Sequence, residues 1–163
     1  MRKSQLYGHI FIYILTVVIT SFILVYGYNA VKNFREKTDE ASCLKFRNDL
    51  QGAIYTIMSD YGTVKRKDFD LCSNYNMICF VESFESFDKN NPQSNTNPID
   101  PIIKDNMLSN TGKNVFLVAG LAKDRFYAGN ITVGKDVLCI PASGGRISLR
   151  LEGLGNRVAL DKW

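Results

Sequence analysis

The chain has 163 residues, a formal net charge of +4, four cysteines and a single histidine. The charge is spread along the sequence, and the densest basic run, residues 65–67, has only three members, so we expect no nucleic-acid partner. The cysteines lack CxxC spacing and the histidine, His9, lies in an apolar stretch, so no metal site and no cofactor are expected.

A membrane-spanning helix is the first predicted element. Residues 6–28, LYGHIFIYILTVVITSFILVYGY, contain no Asp, Glu, Lys or Arg. A helix of this length is about 34 Å long, enough to cross a hydrocarbon core of about 30 Å. The apolar run is longer than that of a secretory signal peptide, and the residues after it continue a helical pattern. We therefore predict a retained anchor, with a buried core helix as the alternative.

The orientation of the span is predicted from its flanks, the cysteines and a sequon. The basic stub at residues 1–5 favours a cytoplasmic N-terminus, whereas the basic residues within 32–37 favour the opposite orientation. Four cysteines and the glycosylation sequon at Asn130, completed by Thr132, both favour an extracytoplasmic domain. We predict a single-pass membrane protein with a cytoplasmic N-terminus and with residues 63–163 outside the cytoplasm. The alternative is the reverse topology, with a cytoplasmic domain and free thiols.

The four cysteines are candidates for two disulfides. Four cysteines allow three pairings, and sequence alone does not choose among them. Cys79 and Cys139 both lie in apolar runs typical of strands, which favours that pair and leaves Cys43 with Cys72. The alternative is that all four are small buried side chains with free thiols.

The helix is predicted to continue beyond the span, through residues 29–62. No proline occurs between residues 30 and 61, and Gly62 is suited to end the helix in a left-handed conformation. One helix from residue 6 to about residue 61 would be about 80 Å long. Apolar residues recur at three- and four-residue spacing along its second half and form a stripe that another layer must cover. The stripe consists of Cys43, Phe46, Leu50, Ala53, Ile54, Ile57, Met58 and Tyr61.

Residues 63–163 are predicted to form a β-rich domain with one short helix. Residues 64–69 are ambiguous, and residues 76–82 are typical of a strand. Residues 87–100 predict a polar surface loop, and Asp100 followed by Pro101 predicts the start of a helix that ends near residue 108. Five further strands are predicted at residues 115–119, 125–132, 136–140, 146–152 and 157–160.

The predicted strands form an antiparallel meander. A turn at Lys123-Asp124 separates the first two strands after residue 114, and Gly144-Gly145 supplies the positive φ angles of a hairpin turn. Residues 146–152 alternate between apolar and polar, which predicts one buried and one solvated face. The predicted fold class is α+β, with a long N-terminal helix, half transmembrane and half amphipathic, packed on an antiparallel β-sheet.

No catalytic set is evident in the sequence. There is no Ser/His/Asp arrangement, because the only histidine lies in the span, and there is no phosphate-binding glycine motif. His9 is a functional candidate because it is titratable, but its place one turn inside the boundary favours a side chain that reaches the headgroups. We therefore predict that the protein is not an enzyme.

A short basic stub, the pair Ser4-Gln5, a long apolar helix that runs on as an amphipathic helix, and an antiparallel sheet follow one another in this chain. This order resembles archaeal type IV pilin-like proteins with a class III signal peptide. The resemblance implies that a prepilin-type peptidase cuts between Ser4 and Gln5 and that the apolar helices bundle into a filament core. Two positions differ from the family pattern: Ser4 stands where Gly or Ala is usual, and His9 stands where many pilins have Glu.

Two functions are compatible with these features. The first is a non-enzymatic, membrane-anchored surface protein, a pilin-like structural subunit that assembles with itself or with other pilin-like subunits through its N-terminal helix. The alternative is a single-pass membrane protein whose extracytoplasmic domain binds a partner or ligand, with residues 90–97 and the hairpin tips as contact sites. The continuous helix from span to domain favours the structural subunit.

Overall fold

The computed structural model describes residues 4–72, 74–82, 94–96, 98–109 and 111–163, and within these ranges it describes side chains from residue 10 onward except that of residue 36. The chain forms two compact units, Met1–Glu40 and Ala41–Trp163. The fold class is α+β, as predicted. Most of the stub at residues 1–5 and most of the candidate contact loop at residues 90–97 lie outside the described residues.

Helix α1 spans Ser4–Met58 without a break. No proline precedes residue 92, so no backbone N–H needed for the helical ladder is missing in this stretch. In the first unit, every described side chain from residue 10 to residue 35 is exposed. The prediction of one helix that continues past residues 29–34 is confirmed.

The helix ends at Met58, about three residues earlier than predicted. Beyond it the N–H of Asp60 donates to the carbonyl of Ile57, only three residues back, so the chain tightens into a turn. Gly62 has a φ of 76°, as expected for the residue that ends this region. Tyr61, predicted on the buried stripe, is 81% exposed, because the helical spacing no longer holds after the last turn.

Two four-stranded sheets are formed by the described residues. Sheet one has the strand order β1-β7-β8-β5, and sheet two has the order β4-β3-β2-β6. The strands are β1 Val64–Asp70, β2 Met77–Val81, β3 Val115–Ala119, β4 Leu121–Phe126, β5 Ile131–Val133, β6 Val137–Pro141, β7 Arg146–Gly153 and β8 Val158–Lys162, and the second helix is α2 Pro101–Ser109.

The predicted single meander is wrong. The strands divide between two sheets, and β5 pairs with β8 in parallel rather than antiparallel orientation. The ambiguous residues 64–69 belong to a strand, β1, which pairs with β7. A pattern of buried and exposed residues indicates the faces of a strand but not its neighbours, so the division into two sheets was not predictable from periodicity.

The predicted turn at Lys123-Asp124 and the predicted strand 125–132 are also wrong. Both turn residues lie inside β4, and the chain instead reverses at Gly120, whose φ is 81°. The run 125–132 is interrupted between β4 and β5, where Gly129 has a φ of 116°. In each case a glycine with positive φ, rather than a polar pair, sets the boundary of the strand.

Three local predictions are confirmed. Alternate residues of β7 are buried, and Gly144 and Gly145 have φ angles of 58° and 77° in the hairpin turn that precedes it. Asp100 caps α2, because its Oδ1 accepts the N–H of Ile102 at 2.8 Å. The other carboxylate oxygen accepts the N–H of Ala122 at 2.7 Å and so ties α2 to β4.

One core joins the second half of α1 to both sheets. Phe46 makes edge-to-face contacts with Phe69 of β1 and Phe126 of β4, at centroid distances of 6.2 and 6.5 Å. The other face of sheet two is covered by α2 through Ile103 and Met107, which explains the near-continuous apolar sequences of β2 and β3. The stripe residues that are buried are Phe46, Leu50, Ala53, Ile54 and Ile57.

The end of α1 lies directly against the end of β7. A Cβ atom added to Gly153 would be 2.2 Å from the carbonyl oxygen of Ile57 and 2.3 Å from that of Asp60. Because both obstacles are backbone atoms, this approach of helix to strand requires glycine.

Candidate functional site

The exposed apolar part of α1 is the first candidate functional surface. Between residues 10 and 34 the large apolar side chains, such as Phe11, Phe22 and Leu24, are all exposed. Within the described ranges, Ile10–Met58 is the one helix long and apolar enough to cross a membrane, by length and composition. Apolar surface left in water costs about 25 cal/mol per Å² relative to burial, so this surface favours an apolar environment.

The serine and threonine hydroxyls of this segment are satisfied within the helix. Thr16 donates to the carbonyl of Tyr13 at 2.8 Å, Thr20 to that of Thr16 at 2.7 Å, and Ser21 to that of Val17 at 2.8 Å. A hydroxyl bonded to the preceding turn needs no water, so these three residues are compatible with hydrocarbon.

Both disulfides lie in the second unit, and they use all four cysteines. Cys43 of α1 bonds to Cys72, which follows β1, and Cys79 of β2 bonds to Cys139, its register partner in β6. This is the pairing that the sequence favours. The first bond ties α1 to the edge of sheet one, and the second ties two neighbouring strands of sheet two.

An asparagine covers the outer edge of sheet two. The Nδ2 of Asn95 donates to the carbonyl of Cys139 at 2.6 Å, and its Oδ1 accepts the N–H of the same residue at 2.7 Å. The amide therefore takes the place of a neighbouring strand and hinders edge-to-edge pairing. Sequence reasoning missed this role, because nothing distinguishes Asn95 from the other asparagines of its polar loop.

A carboxylate joins the two sheets. Glu82, which follows β2, accepts the hydroxyl of Thr132 at 2.7 Å and the N–H of Val133 at 2.8 Å, both in β5. Sequence reasoning missed this contact as well, since residues 50 positions apart gave no pairing signal.

Asn130, the predicted glycosylation residue, lies exposed in the loop before β5. Its Oδ1 accepts the hydroxyl of Tyr127 at 2.7 Å, and its Nδ2 lies 3.4 Å from the carbonyl of Asn156. The loop is held in place by Asn114, whose buried amide bonds to the backbone of residues 128–129. The position of Asn130 is therefore fixed by hydrogen bonds rather than by a regular element.

The charged groups of α1 near the core serve packing. Arg47 forms an ion pair with Asp124 at 3.1 Å, and its guanidinium carbon lies 4.8 Å from the centroid of the Phe126 ring. Burial raises the pKa of the nearby Tyr75 hydroxyl, the charge of Asp124 raises it further, and Arg47 opposes both. These contacts link α1 to β4 and bring no nucleophile to a cavity.

A groove of about 710 Å³ separates α1 from β1. Lys45 and Asp49 of α1 and Lys65 and Lys67 of β1 line it, above a floor that includes Phe46. β1 is an edge strand of sheet one, so one side of its backbone has no strand partner among the described strands.

In the part of the chain that the structure describes, no group of three or more His, Cys, Asp or Glu side chains is placed to hold a metal ion. The predicted processing residues Ser4 and Gln5 begin α1, but their side chains and that of His9 lie outside the described part. Comparisons of the chain with protein-family models, with curated proteins and with solved structures found no match. The pilin-like resemblance therefore stays a prediction, carried by residues 1–5 and the order of the elements.

Proposed function

We propose that this protein is a non-enzymatic, membrane-anchored structural subunit that assembles with copies of itself or with similar subunits through the apolar part of α1. The observation that carries the proposal is the difference in side-chain exposure between the two parts of α1. Its described side chains from residue 10 to residue 35 are all exposed, whereas five residues of its second half are buried in the domain. These are Phe46, Leu50, Ala53, Ile54 and Ile57. In a membrane, exposed helices of this kind associate by van der Waals packing.

Two further observations support a membrane anchor that carries an extracytoplasmic domain. All four cysteines are in disulfides, which persist in oxidising compartments and are rare in the cytosol. The serine and threonine hydroxyls of the apolar segment are satisfied within the helix, as a lipid environment requires. A cytoplasmic N-terminus follows from this placement of the domain.

Processing is tested by mass spectrometry of the native N-terminus. We expect a mature chain that begins at Gln5, the product of a prepilin-type peptidase. A chain that keeps Met1, or one cut elsewhere than after Ser4, would contradict processing of the pilin type.

Assembly is tested by cross-linking in native membranes. Single cysteines placed along residues 10–28, such as Val17→Cys, are expected to form disulfides between chains, because the native cysteines are already paired. Ser59→Cys, exposed after the end of α1, is the matched control and should stay monomeric. If every variant in the series stays monomeric, the assembly proposal fails and a tethered domain is the function to keep.

A tethered binding domain is the second candidate, and the groove between α1 and β1 favours it. The unpaired edge of β1 suits an extended segment, and the groove offers it charged contacts of both signs. The lining has three lysines, at positions 45, 65 and 67, and three aspartates, at positions 49, 68 and 70. Reversing the charge of Lys65 and Lys67 should then abolish partner binding and leave cross-linking through α1 unchanged. Equal binding by the variant and the parent chain would remove this candidate.

A further inference from the structure

Tyr127 lies beside Asn130, Tyr55 lies near Tyr127, and Tyr61 lies near Gly155. We call these three exposed tyrosines the tyrosine patch. The exposed fractions of Tyr55, Tyr61 and Tyr127 are 55%, 81% and 40%. Tyr127 donates its hydroxyl to Asn130, and Gly155, next to Asn156, lies against the ring of Tyr61. Burial raises the pKa of Tyr127, and the neighbouring Tyr55 hydroxyl adds to the rise.

The side-chain amide of Asn130 lies at the surface, where the folded domain leaves room for an attached sugar chain. Asn130 is exposed, and its Nδ2 has one long hydrogen bond, at 3.4 Å to the carbonyl of Asn156. An amide nitrogen carries two protons, and this hydrogen bond uses one of them. Asn130-Ile131-Thr132 has the N-x-T spacing that N-glycosylation requires.

We propose that Asn130 carries an N-linked glycan and that its first sugars pack on the rings of Tyr127 and Tyr55. The aromatic rings offer apolar faces to the C–H faces of a sugar ring, and the Tyr127 hydroxyl fixes the direction of the asparagine side chain. This occupant explains why a cluster of large aromatic side chains is left exposed beside a sequon. The inference rests on the extracytoplasmic location in the proposed function.

The donor is a sugar chain carried on a lipid phosphate. The Nδ2 of Asn130 forms a bond to the anomeric carbon of the first sugar, the bond from that carbon to the phosphate oxygen breaks, and the lipid phosphate leaves with the electron pair. The proton lost from the amide passes to a basic group of the transferase. No oxidant or reductant is needed.

The folded structure constrains when the transfer occurs. The hydroxyl of Thr132, which a transferase must recognise, is bonded to Glu82 at 2.7 Å, and Ile131 is buried in the core. The sequon is therefore bound to the domain once β5 has docked beside Glu82. Transfer takes place before that docking, on the chain as it emerges from the membrane.

The glycan is tested on full-length chain purified from the membranes of its own cells. Cleavage after Arg125 and Lys135 yields the peptide 126–135, in which Asn130 and Thr132 are the only residues with an Asn, Ser or Thr side chain. We expect this peptide to carry sugar, with fragment masses that place it on Asn130. Asn130→Gln should remove the sugar, and Thr132→Ser should retain it, because serine keeps the hydroxyl for both the transferase and Glu82.

Two results would overturn the proposal, and a thiol count separates them. An unmodified peptide from a chain whose four cysteines are all in disulfides would reject the glycan and leave the proposed location intact. An unmodified peptide from a chain with four free thiols would reject both. If the cysteines are in disulfides but the peptide carries no sugar, we would conclude that the exposed tyrosines contact a neighbouring subunit.

The packing of the sugar on Tyr127 is tested by thermal unfolding of three pairs of samples: the parent chain, Tyr127→Phe and Tyr127→Ala, each with and without Asn130→Gln. The glycosylated chain should unfold at a higher temperature than its Asn130→Gln form. Tyr127→Phe keeps the ring and should preserve that difference, whereas Tyr127→Ala should reduce it. If Tyr127→Ala leaves the difference in unfolding temperature unchanged, the sugar does not pack on the Tyr127 ring.

Discussion

At the scale of single residues, Gly153 carries the most demanding contact. Gly153→Ala is expected to lower the free energy of unfolding by about 1–3 kcal/mol or more, because the new Cβ would overlap the carbonyl oxygens of Ile57 and Asp60. The measurement is chemical unfolding of the full chain in detergent micelles.

The matched control for this change is Gly52→Ala in α1. A Cβ at Gly52 meets nothing within 4 Å, and the residue is exposed in the helix interior. Alanine should therefore stabilise the helix by about 0.5–1 kcal/mol. The contact assigned to Gly153 is wrong if both variants change stability in the same direction.

Asp68 supplies a pH-dependent contact on the solvated face of sheet one. The hydroxyl of Ser148 donates to its carboxylate, and together with Arg66 this lowers the pKa of Asp68 despite some desolvation. The contribution of this contact to stability is present above the unfolded pKa of about 3.9 and is lost as the pH falls through the lowered folded value.

Ser148→Ala should raise the pKa of Asp68 toward its ordinary value, because it removes the largest cause of the shift. The measurement is an NMR titration of the Asp68 carboxyl carbon in both chains. Ser59→Ala, at an exposed residue after α1, is the control and should leave the titration unchanged. If the pKa of Asp68 is unchanged in Ser148→Ala, the hydrogen bond from Ser148 does not cause the lowered pKa.

The residues that fix loops were the least predictable part of the candidate site. Asn95, Asn114 and Glu82 each bond to backbone groups far away in the sequence, and these partners exist only after folding. The sequon at Asn130 can be read from local sequence, and its use stays a prediction, whereas its neighbour Tyr127 gave no signal before the loop was placed.

At the scale of elements, α1 was the most predictable part of the molecule. A charge-free segment, followed by apolar residues at three- and four-residue spacing, predicts one continuous helix. Only the end of that helix was predicted at the wrong residue. Strand boundaries were less predictable where a glycine with positive φ interrupts an apolar run, as at Gly120 and Gly129.

The apolar segment of α1 is expected to hold the chain in the membrane. Val17, exposed near the middle of residues 6–28, tests this. A lysine at the centre of a span costs about 2.5–3.5 kcal/mol on insertion scales, so Val17→Lys should reduce the fraction of chain that resists alkaline extraction. Val17→Leu is the control and should behave like the parent chain. A parent chain that is fully extracted would contradict the anchor.

At the scale of the whole molecule, two sheets share one core with α1, and this arrangement was not predicted. The sequence pattern of β7 indicated a half-solvated strand, and the apolar runs of β2 and β3 indicated full burial, but neither pattern names a partner. The separation into two sheets depends on contacts between distant residues, which periodicity does not contain.

The disulfides stabilise this whole arrangement. They close loops with sequence separations of 29 and 60 residues, and the chain-entropy model assigns each about 4 kcal/mol. Cys43→Ser combined with Cys72→Ser should therefore lower the free energy of unfolding by about that amount, measured by denaturant titration of the full chain. Changing Cys79 and Cys139 together provides the comparison. An unfolding midpoint unaffected by either pair would contradict a stabilising role.

The same two bonds also decide which parts of the polypeptide bear a mechanical load. Consider a force that pulls α1, on the N-terminal side of Cys43, away from the chain after Cys139. This force passes through the disulfide from Cys43 to Cys72 and bypasses residues 44–71. The second bond then transfers the force from Cys79 to Cys139 and bypasses residues 80–138. Strands β1, β3, β4 and β5 lie wholly within the two loops that the disulfides close, residues 44–71 and 80–138. Stretching therefore extends only the segments outside these loops.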